Sequence, residues 1–395
     1  MTKVNSIALT RDEMITRAWA LVPALQKRAL ETEQLGRIHP DTVEDFHQTR
    51  LWRVHQPKRY GGLELDFTLY IDIGEALGRG CGSTAWVWAN LVAHDWMLGM
   101  FPIEAQDEIW QEDPNTLIGS ALIYPCGKAE IVDGGYRLSG RWPFSSGIAP
   151  CNWAMLGGVL QTHSGVEPYI FNIRRRDMDV IETWDVSGLV GTGSEDVACE
   201  DVFVPNHMAL PLRDTRGGPT PGSAVNSHPI YQMPLLALFP HVIAGALLGI
   251  ARAAFDDYVE NTMNRATTYN QGKLADYTNQ QMRISEAGAS IDAARLLLRD
   301  NCLEAERKAA EVGACTEIDK ARWRRDGAYA ANLCAKGVDQ IFAAAGGGAN
   351  YRKNPLQRYF RDIHAGVSHI GVSWDANAPE FARAKLGLPT GNPNL

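Results

Sequence analysis

Apolar positions in the first hundred residues recur at helical spacing. Thr10 and Glu13 are spaced as a capping box, and Met14, Ala18, Leu21, Leu25 and Ala29 follow on one face, which predicts a helix. Pro23 falls inside it and predicts a kink or a division. Beyond the His39-Pro40 break a second helical pattern runs through Val43 and Phe46, and a third covers Tyr70 to Leu77. From Ser83 to Met100 small and aromatic residues alternate with almost no charge, the pattern of a buried helix beside a ligand. The period then shortens. Thr116 to Tyr124 is β-rich, and Ile131-Val132 and Tyr136 to Leu138 flank Asp133-Gly134-Gly135 as the arms of a hairpin. Trp153 to Leu160, Pro168 to Ile173 and Val197 to Val204 read as further strands. Arg213 to Ser227, rich in Gly, Pro, Ser and Thr, reads as a linker or a mobile surface loop. Long helical patterns return over Ala246 to Asn264, Asn279 to Val312 and Ile318 to Ala345. The pattern predicts an α+β multidomain chain: a helical N-terminal domain over 1–115, a central β domain over 116–212, a linker over 213–230 and a C-terminal helical bundle over 231–395.

Composition narrows the class. A chain of 395 residues predicts two or three packed subdomains, and 45% hydrophobic with 21% charged residues excludes a disordered or fibrous chain. A net charge of -8 gives no broad electrostatic reason to bind nucleic acid. The segment MTKVNSIALTRDEM lacks the features of a signal peptide, so a cytoplasmic protein is expected. Seven scattered cysteines without a CxxC pair indicate neither a disulfide framework nor a metal site. The most apolar run, Leu235 to Ile250, contains Pro240 and His241 and is short for a bilayer span, so a buried helix is expected and no membrane partner. No Gly-x-Gly-x-x-Gly fingerprint sits at a strand-to-helix turn, so no nicotinamide site is visible.

Four segments carry a family resemblance. They are the turn Pro57-Lys58-Arg59-Tyr60-Gly61-Gly62; the strand Gly140-Arg141-Trp142-Pro143-Phe144-Ser145-Ser146-Gly147; the run Gly188 to Asp196 followed by Val202-Phe203-Val204-Pro205; and Gln340, Gly346 to Gly348 and Arg361-Asp362 in that order. Together they resemble the acyl-CoA dehydrogenase-like flavoproteins over roughly residues 10 to 388. The resemblance implies a helical N-terminal domain, a central β domain and a C-terminal four-helix bundle, assembled as a homotetramer.

Acyl-CoA dehydrogenases need a carboxylate base, which many carry in a Tyr-Glu-Gly segment after the Arg-Asp pair. Here the chain reads Arg361-Asp362-Ile363-His364-Ala365-Gly366-Val367-Ser368-His369, then Trp374-Asp375. A histidine at about the carboxylate's place is similar to the group D two-component flavin monooxygenases, such as the hydroxyphenylacetate, secosteroid and dibenzothiophene monooxygenases. The resemblance implies an oxygenase component that uses diffusible reduced FMN or FAD and O2, through a C4a-hydroperoxyflavin, to hydroxylate a small phenolic or indolic aromatic substrate. A separate NAD(P)H-flavin reductase would supply the reduced flavin. An acyl-CoA dehydrogenase or related flavin oxidase with an unrecognised base is the alternative, and a helical scaffold without flavin is a third reading.

The same resemblance assigns catalytic roles to His369, His94 and Ser146. Ser146, behind an aromatic wall of Trp142 and Phe144, offers an acceptor for the flavin N5 hydrogen, with Ser145 beside it. A histidine suits proton transfer near neutral pH, so His369 is either the base for the substrate proton or the partner of the peroxide. Arg265, Gln340, Gly346 and Gly347 correspond to flavin-binding positions, and Trp86, His94, Trp96 and Trp374 are expected to line an apolar pocket. Each also has a plainer reading. A lone histidine on an apolar helix is commonly a hydrogen-bonded core residue, Ser-Ser-Gly is commonly a turn, an arginine on a helix is commonly solvated, and the Gly346 triplet serves as a helix cap.

Overall fold

The computed structural model describes residues 9–163, 165–266, 271–311 and 315–392. The N-terminal helices are α1 (Arg11–Leu35), α2 (Pro40–Thr49), α3 (Leu69–Gly80), α4 (Gly82–Leu98) and α5 (Ile103–Trp110). Thr10 and Glu13 close the predicted capping box reciprocally, and α1 buries Met14, Ala18, Val22, Leu25 and Ala29. It continues through Pro23 without dividing. All of α4 is buried, as its near-absence of charged residues predicts.

Among the described residues eight strands follow: β1 (Ile118–Ala121), β2 (Gly127–Val132), β3 (Gly135–Ser145), β4 (Trp153–Thr162), β5 (Gly165–Arg174), β6 (Asp179–Ile181), β7 (Glu195–Pro205) and β8 (Ala209–Pro211). Their order is β6-β7-β3-β2-β4-β5-β8, with β1 paired to β4. Strands β2 and β3 form the expected hairpin, closed at Val132 opposite Gly135. Strand β4 is parallel to both β1 and β2, and the other pairs are antiparallel.

The C-terminal helices are α6 (Leu235–Asn264), α7 (Thr278–Glu311), α8 (Glu317–Ala345), α9 (Pro355–Val367) and α10 (Trp374–Lys385). The expected end of the second long pattern, Val312, lies outside the described residues. Helix α6 is long and apolar enough to cross a membrane by length and composition, but 83% of its most apolar window is buried inside the protein. It is a core helix, crossing α3 at glycines: a Cβ on Gly245 would lie 2.1 Å from the Tyr70 carbonyl oxygen, and one on Gly249 2.5 Å from that of Glu75.

The Gly/Pro-rich stretch after β8 is packed rather than loose. Gly222 N–H donates to the Met100 carbonyl at 2.8 Å, and the Asn226 amide donates to the Gly99 carbonyl and Gln106 Oε1, each at 2.9 Å. Thr215, Thr220 and Asn226 are buried. The small residues that suggested looseness serve close approach, because a Cβ on Gly222 would meet the Gly99 oxygen at 2.0 Å.

Helix α9 fastens the β domain to the bundle. The Leu189 N–H donates to Asp362 Oδ1 at 2.7 Å, the Arg361 guanidinium donates to the Ser187 carbonyl, and Arg361 pairs with Glu33 of α1 at 2.6 Å. Gly188 lies against the backbone of α9, where a Cβ would sit 2.2 Å from the Arg361 oxygen. Burial raises the Asp362 carboxyl to about 6, against the Leu189 N–H that favours its charged form.

Candidate flavin and substrate site

Trp86, Asn90 and His94 stand one helical turn apart on α4 and therefore share a face. The Trp86 indole N–H donates to Ser146 Oγ at 3.3 Å, and the Asn90 amide donates to the Trp86 carbonyl at 2.8 Å. His94 Nδ1 is bonded to the Ile118 carbonyl, which can only accept, so the neutral ring carries its hydrogen on Nδ1. Its Nε2 lone pair is then enclosed without a partner, and burial lowers the ring's pKa to about 4. A neutral imidazole with an unused acceptor is what a substrate hydroxyl requires.

The end of β3 is irregular, with its register to β7 shifting between Trp142 and Ser145. Phe144 has φ +67° there, a strained conformation for a residue with a side chain, and it turns outward to 59% exposure with its ring edge-on to Trp184. Trp142 and Ser145 turn inward instead. Trp142 is fully buried and its indole donates to the Gly157 carbonyl at 2.6 Å, so it is a core residue of the sheet and not part of an aromatic wall. Ser145 is fully buried as well, with its hydroxyl unpartnered. Phe144 and Ser146, by contrast, keep an accessible side. Ser146 Oγ lies 2.8 Å from Ser194 Oγ, which lies 2.7 Å from Thr192 Oγ1, whose hydroxyl donates to the Leu189 carbonyl at 2.8 Å. The Thr-x-Ser of the Gly188–Asp196 run was the signal for Thr192 and Ser194, which sequence reasoning passed over as candidates for the site.

His369 follows α9, and its Nδ1 accepts the Gly371 N–H at 3.0 Å. Its hydrogen is therefore on Nε2, the opposite tautomer to His94. The ring stands edge-on to Trp86 at 5.6 Å between centroids and 6.1 Å from Phe239. Burial, then the Arg324 charge, lowers it to about 4, so it is neutral near pH 7. Gly366 brings α9 onto this corner: a Cβ there would lie 2.3 Å from Leu247 and 3.3 Å from the Trp86 ring.

Two expected pocket residues lie elsewhere. Trp96, two positions beyond His94, points to the other side of α4, where it is fully buried, donates to the Ile230 carbonyl at 2.6 Å and packs on Phe67. Trp374 is 41% exposed and packs against Tyr329 in an outer depression with Asn332, Val367, Ser373 and Asp375. A second group forms at the far end of the bundle. Arg265 donates to the Ala345 carbonyl at 3.0 Å and lines a cavity of about 110 Å³ with Asp257, Tyr258, Asn261, Gly348 and Asn354. Gly346 ends α8 with φ +72°, and a Cβ on Gly346, Gly347 or Gly348 would meet nothing within 4 Å. Gln340 lies on the same helix with a buried, unpartnered Oε1. Among the described residues no hydrogen bond or ring contact joins this group to Ser146, His94 or His369.

Comparison with known proteins fits this architecture. The acyl-CoA dehydrogenase N-terminal domain matches residues 20–113 and the acyl-CoA dehydrogenase C-terminal domain residues 241–374. The oxygenase subunit HsaA of a flavin-dependent monooxygenase from Rhodococcus jostii is 36% identical over 94% of this chain and 97% of its own. The oxygenase component of an FADH(2)-dependent resorcinol hydroxylase from a Rhizobium species is 31% identical over 95% and 94%. The crystal structure of 3-HSA hydroxylase from a Rhodococcus species superposes with a TM-score of 0.92 at 33% identity, covering 97% and 99%. The chain belongs to the acyl-CoA dehydrogenase-like two-component flavin monooxygenases, as their oxygenase component. It is a reduced-flavin-dependent enzyme that hydroxylates aromatic substrates and depends on a separate reductase. The dehydrogenase alternative gives way to the monooxygenase reading.

Proposed function

We propose that the flavin ring lies between the Trp86 face of α4, the Phe144–Ser146 corner and the α9–α10 turn, and that the substrate is a phenol or an indole held at His94. The residues present at this corner fit such a ring: an exposed Phe144 side chain and a Ser146 hydroxyl held by the Trp86 indole. When bound and reduced, the flavin supplies the activated oxygen from O2.

The observation that carries this reading is the opposite tautomers of the two histidines. His94 Nε2 accepts the hydrogen bond of the substrate O–H or N–H. As the aromatic ring is attacked and its hydroxyl becomes more acidic, His94 takes that proton, so the positive charge passes to the imidazole rather than staying on the ring. His369 Nε2–H donates, so it is the partner of the transferred oxygen rather than the substrate's base. Trp86 packs His369 edge-on and holds it in place, and the indole and phenyl walls exclude water.

Arg265, Gln340, Gly346 and Gly347 take the phosphate end of FMN or FAD. Because that group is separate from the Ser146 corner, we assign it to the flavin of a neighbouring copy, in a homotetramer. The resorcinol hydroxylase among the relatives favours a phenol. The proposed location is the cytoplasm, where a reductase delivers diffusible reduced flavin.

Replacing His94 with Ala tests the reading. Product formation with a generic flavin reductase should fall about 100-fold or more, the usual worth of a positioned base, while reduced-flavin binding persists and O2 is diverted to hydrogen peroxide. Unchanged product yield would remove His94 from the site.

A further inference from the structure

The hydroxyls behind Ser146 form a chain with a defined direction. The Leu189 carbonyl can only accept, so the Thr192 hydroxyl spends its hydrogen there at 2.8 Å. Ser194, 2.7 Å from Thr192 Oγ1, must then be the donor of that contact. Ser194 has one hydrogen, so at the 2.8 Å contact with Ser146 the donor is Ser146. From the other side the Trp86 indole, which has no acceptor, donates to Ser146 Oγ at 3.3 Å. Ser146 has thus given away its hydrogen and keeps one free lone pair. Leu189 is itself fixed, because its own N–H is held by Asp362 Oδ1 at 2.7 Å and its φ is +52°.

We propose that Thr192 and Ser194 are positioning residues that hold Ser146 as an obligate hydrogen-bond acceptor, and that this wiring selects reduced over oxidised flavin. The inference rests on the reading above that Ser146 faces flavin N5. Reduced flavin carries a hydrogen on N5 and needs an acceptor, whereas the N5 of oxidised flavin is a bare ring nitrogen and needs a donor. An acceptor-only Ser146 rewards the first and leaves the second facing a lone pair. If Ser194 could not accept, the Ser146 hydrogen would be free to turn toward N5, and the preference would weaken or reverse.

The test measures the Kd of reduced and oxidised FMN and FAD, the former under anaerobic conditions, for the wild type and for Ser194→Ala, Thr192→Val, Ser194→Thr and Ser146→Ala. In parallel, the nitrogen resonance of 15N5-labelled reduced FMN reports the hydrogen bond at N5. Ser194→Ala should lower the ratio of oxidised to reduced Kd about tenfold, the scale of one hydrogen bond to a polar partner, with the two affinities moving in opposite directions. Thr192→Val, close to isosteric in its buried site, should move the ratio the same way, and Ser194→Thr should restore it. A purely structural role would shift both affinities together and leave the ratio alone. An unchanged ratio and N5 resonance in both Ser194→Ala and Thr192→Val, with both changed in Ser146→Ala, would overturn the relay and leave Ser146 at the flavin. If Ser146→Ala also changes neither, the placement of the flavin fails, and the relay with it.

Discussion

At the inner end of the candidate site Trp86, His94, Ser146 and His369 are locked by hydrogen bonds and ring contacts drawn from α4, β1, β3 and the turn after α9. At the outer end the Gly346–Gly348 turn faces open space, and Arg265 holds a backbone carbonyl beside a small cavity. The inner end has its protons assigned before any ligand arrives. The outer end offers surfaces that only a bound group or a second copy would cover. Chemistry that depends on which atom holds a proton belongs where packing dictates tautomers, and affinity for a diffusible cofactor belongs where the chain stays open.

Truncations on β3 should sharpen this contrast most. Trp142→Ala empties a fully buried indole site and should cost about 3–5 kcal/mol of stability in denaturant unfolding, whereas Phe144→Ala, at an exposed ring, should stay within about 0.5 kcal/mol. Equal losses would mean that Phe144 is a core residue. The Asp362 fastening should show next, in a pH dependence. Its folded pKa, near 6, lies above the ordinary carboxylate value, so its stabilising contribution is complete below about pH 4 and is lost as pH rises through 6. Relative to Asp362→Asn, wild-type stability should fall by up to roughly 3 kcal/mol across that window. A flat difference would show that the carboxylate is not strained by burial. The smallest effect is expected at the outer end. Arg265→Ala should weaken reduced-flavin binding about tenfold, carried in affinity and reduced by added salt. An effect independent of salt would argue against a phosphate partner.

Much of the architecture was legible because it depends on local period and cap chemistry. The Thr10–Glu13 box, the apolar, nearly charge-free run that became α4 and the Asp133-Gly134 hairpin all formed where their residues predict. The Gly/Pro-rich stretch was misleading, since composition cannot distinguish glycine used for freedom from glycine used for close approach, as at Gly222. The candidate site was legible in part. The sequence named His94 and Ser146, and the structure gives the first a partnerless Nε2 and the second a hydrogen-bonded Oγ, while Trp86 lies one turn from Asn90 and two from His94. Trp96 shares their helix but not their face, and Trp142 lies on the inward side of an irregularity that no strand periodicity reveals.

By itself, then, the sequence determined the order of helices and strands, the buried character of α4 and α6, and the identity of the groups available for chemistry. Tertiary structure alone decided their states. Whether a histidine offers a lone pair or a hydrogen depends on a carbonyl or an N–H contributed by another segment, Ile118 for His94 and Gly371 for His369. Whether Ser146 can donate depends on Ser194 and Thr192, about fifty residues further along the chain. A proton's location is set by its nearest partner in space, and only the fold brings those partners within hydrogen-bonding distance.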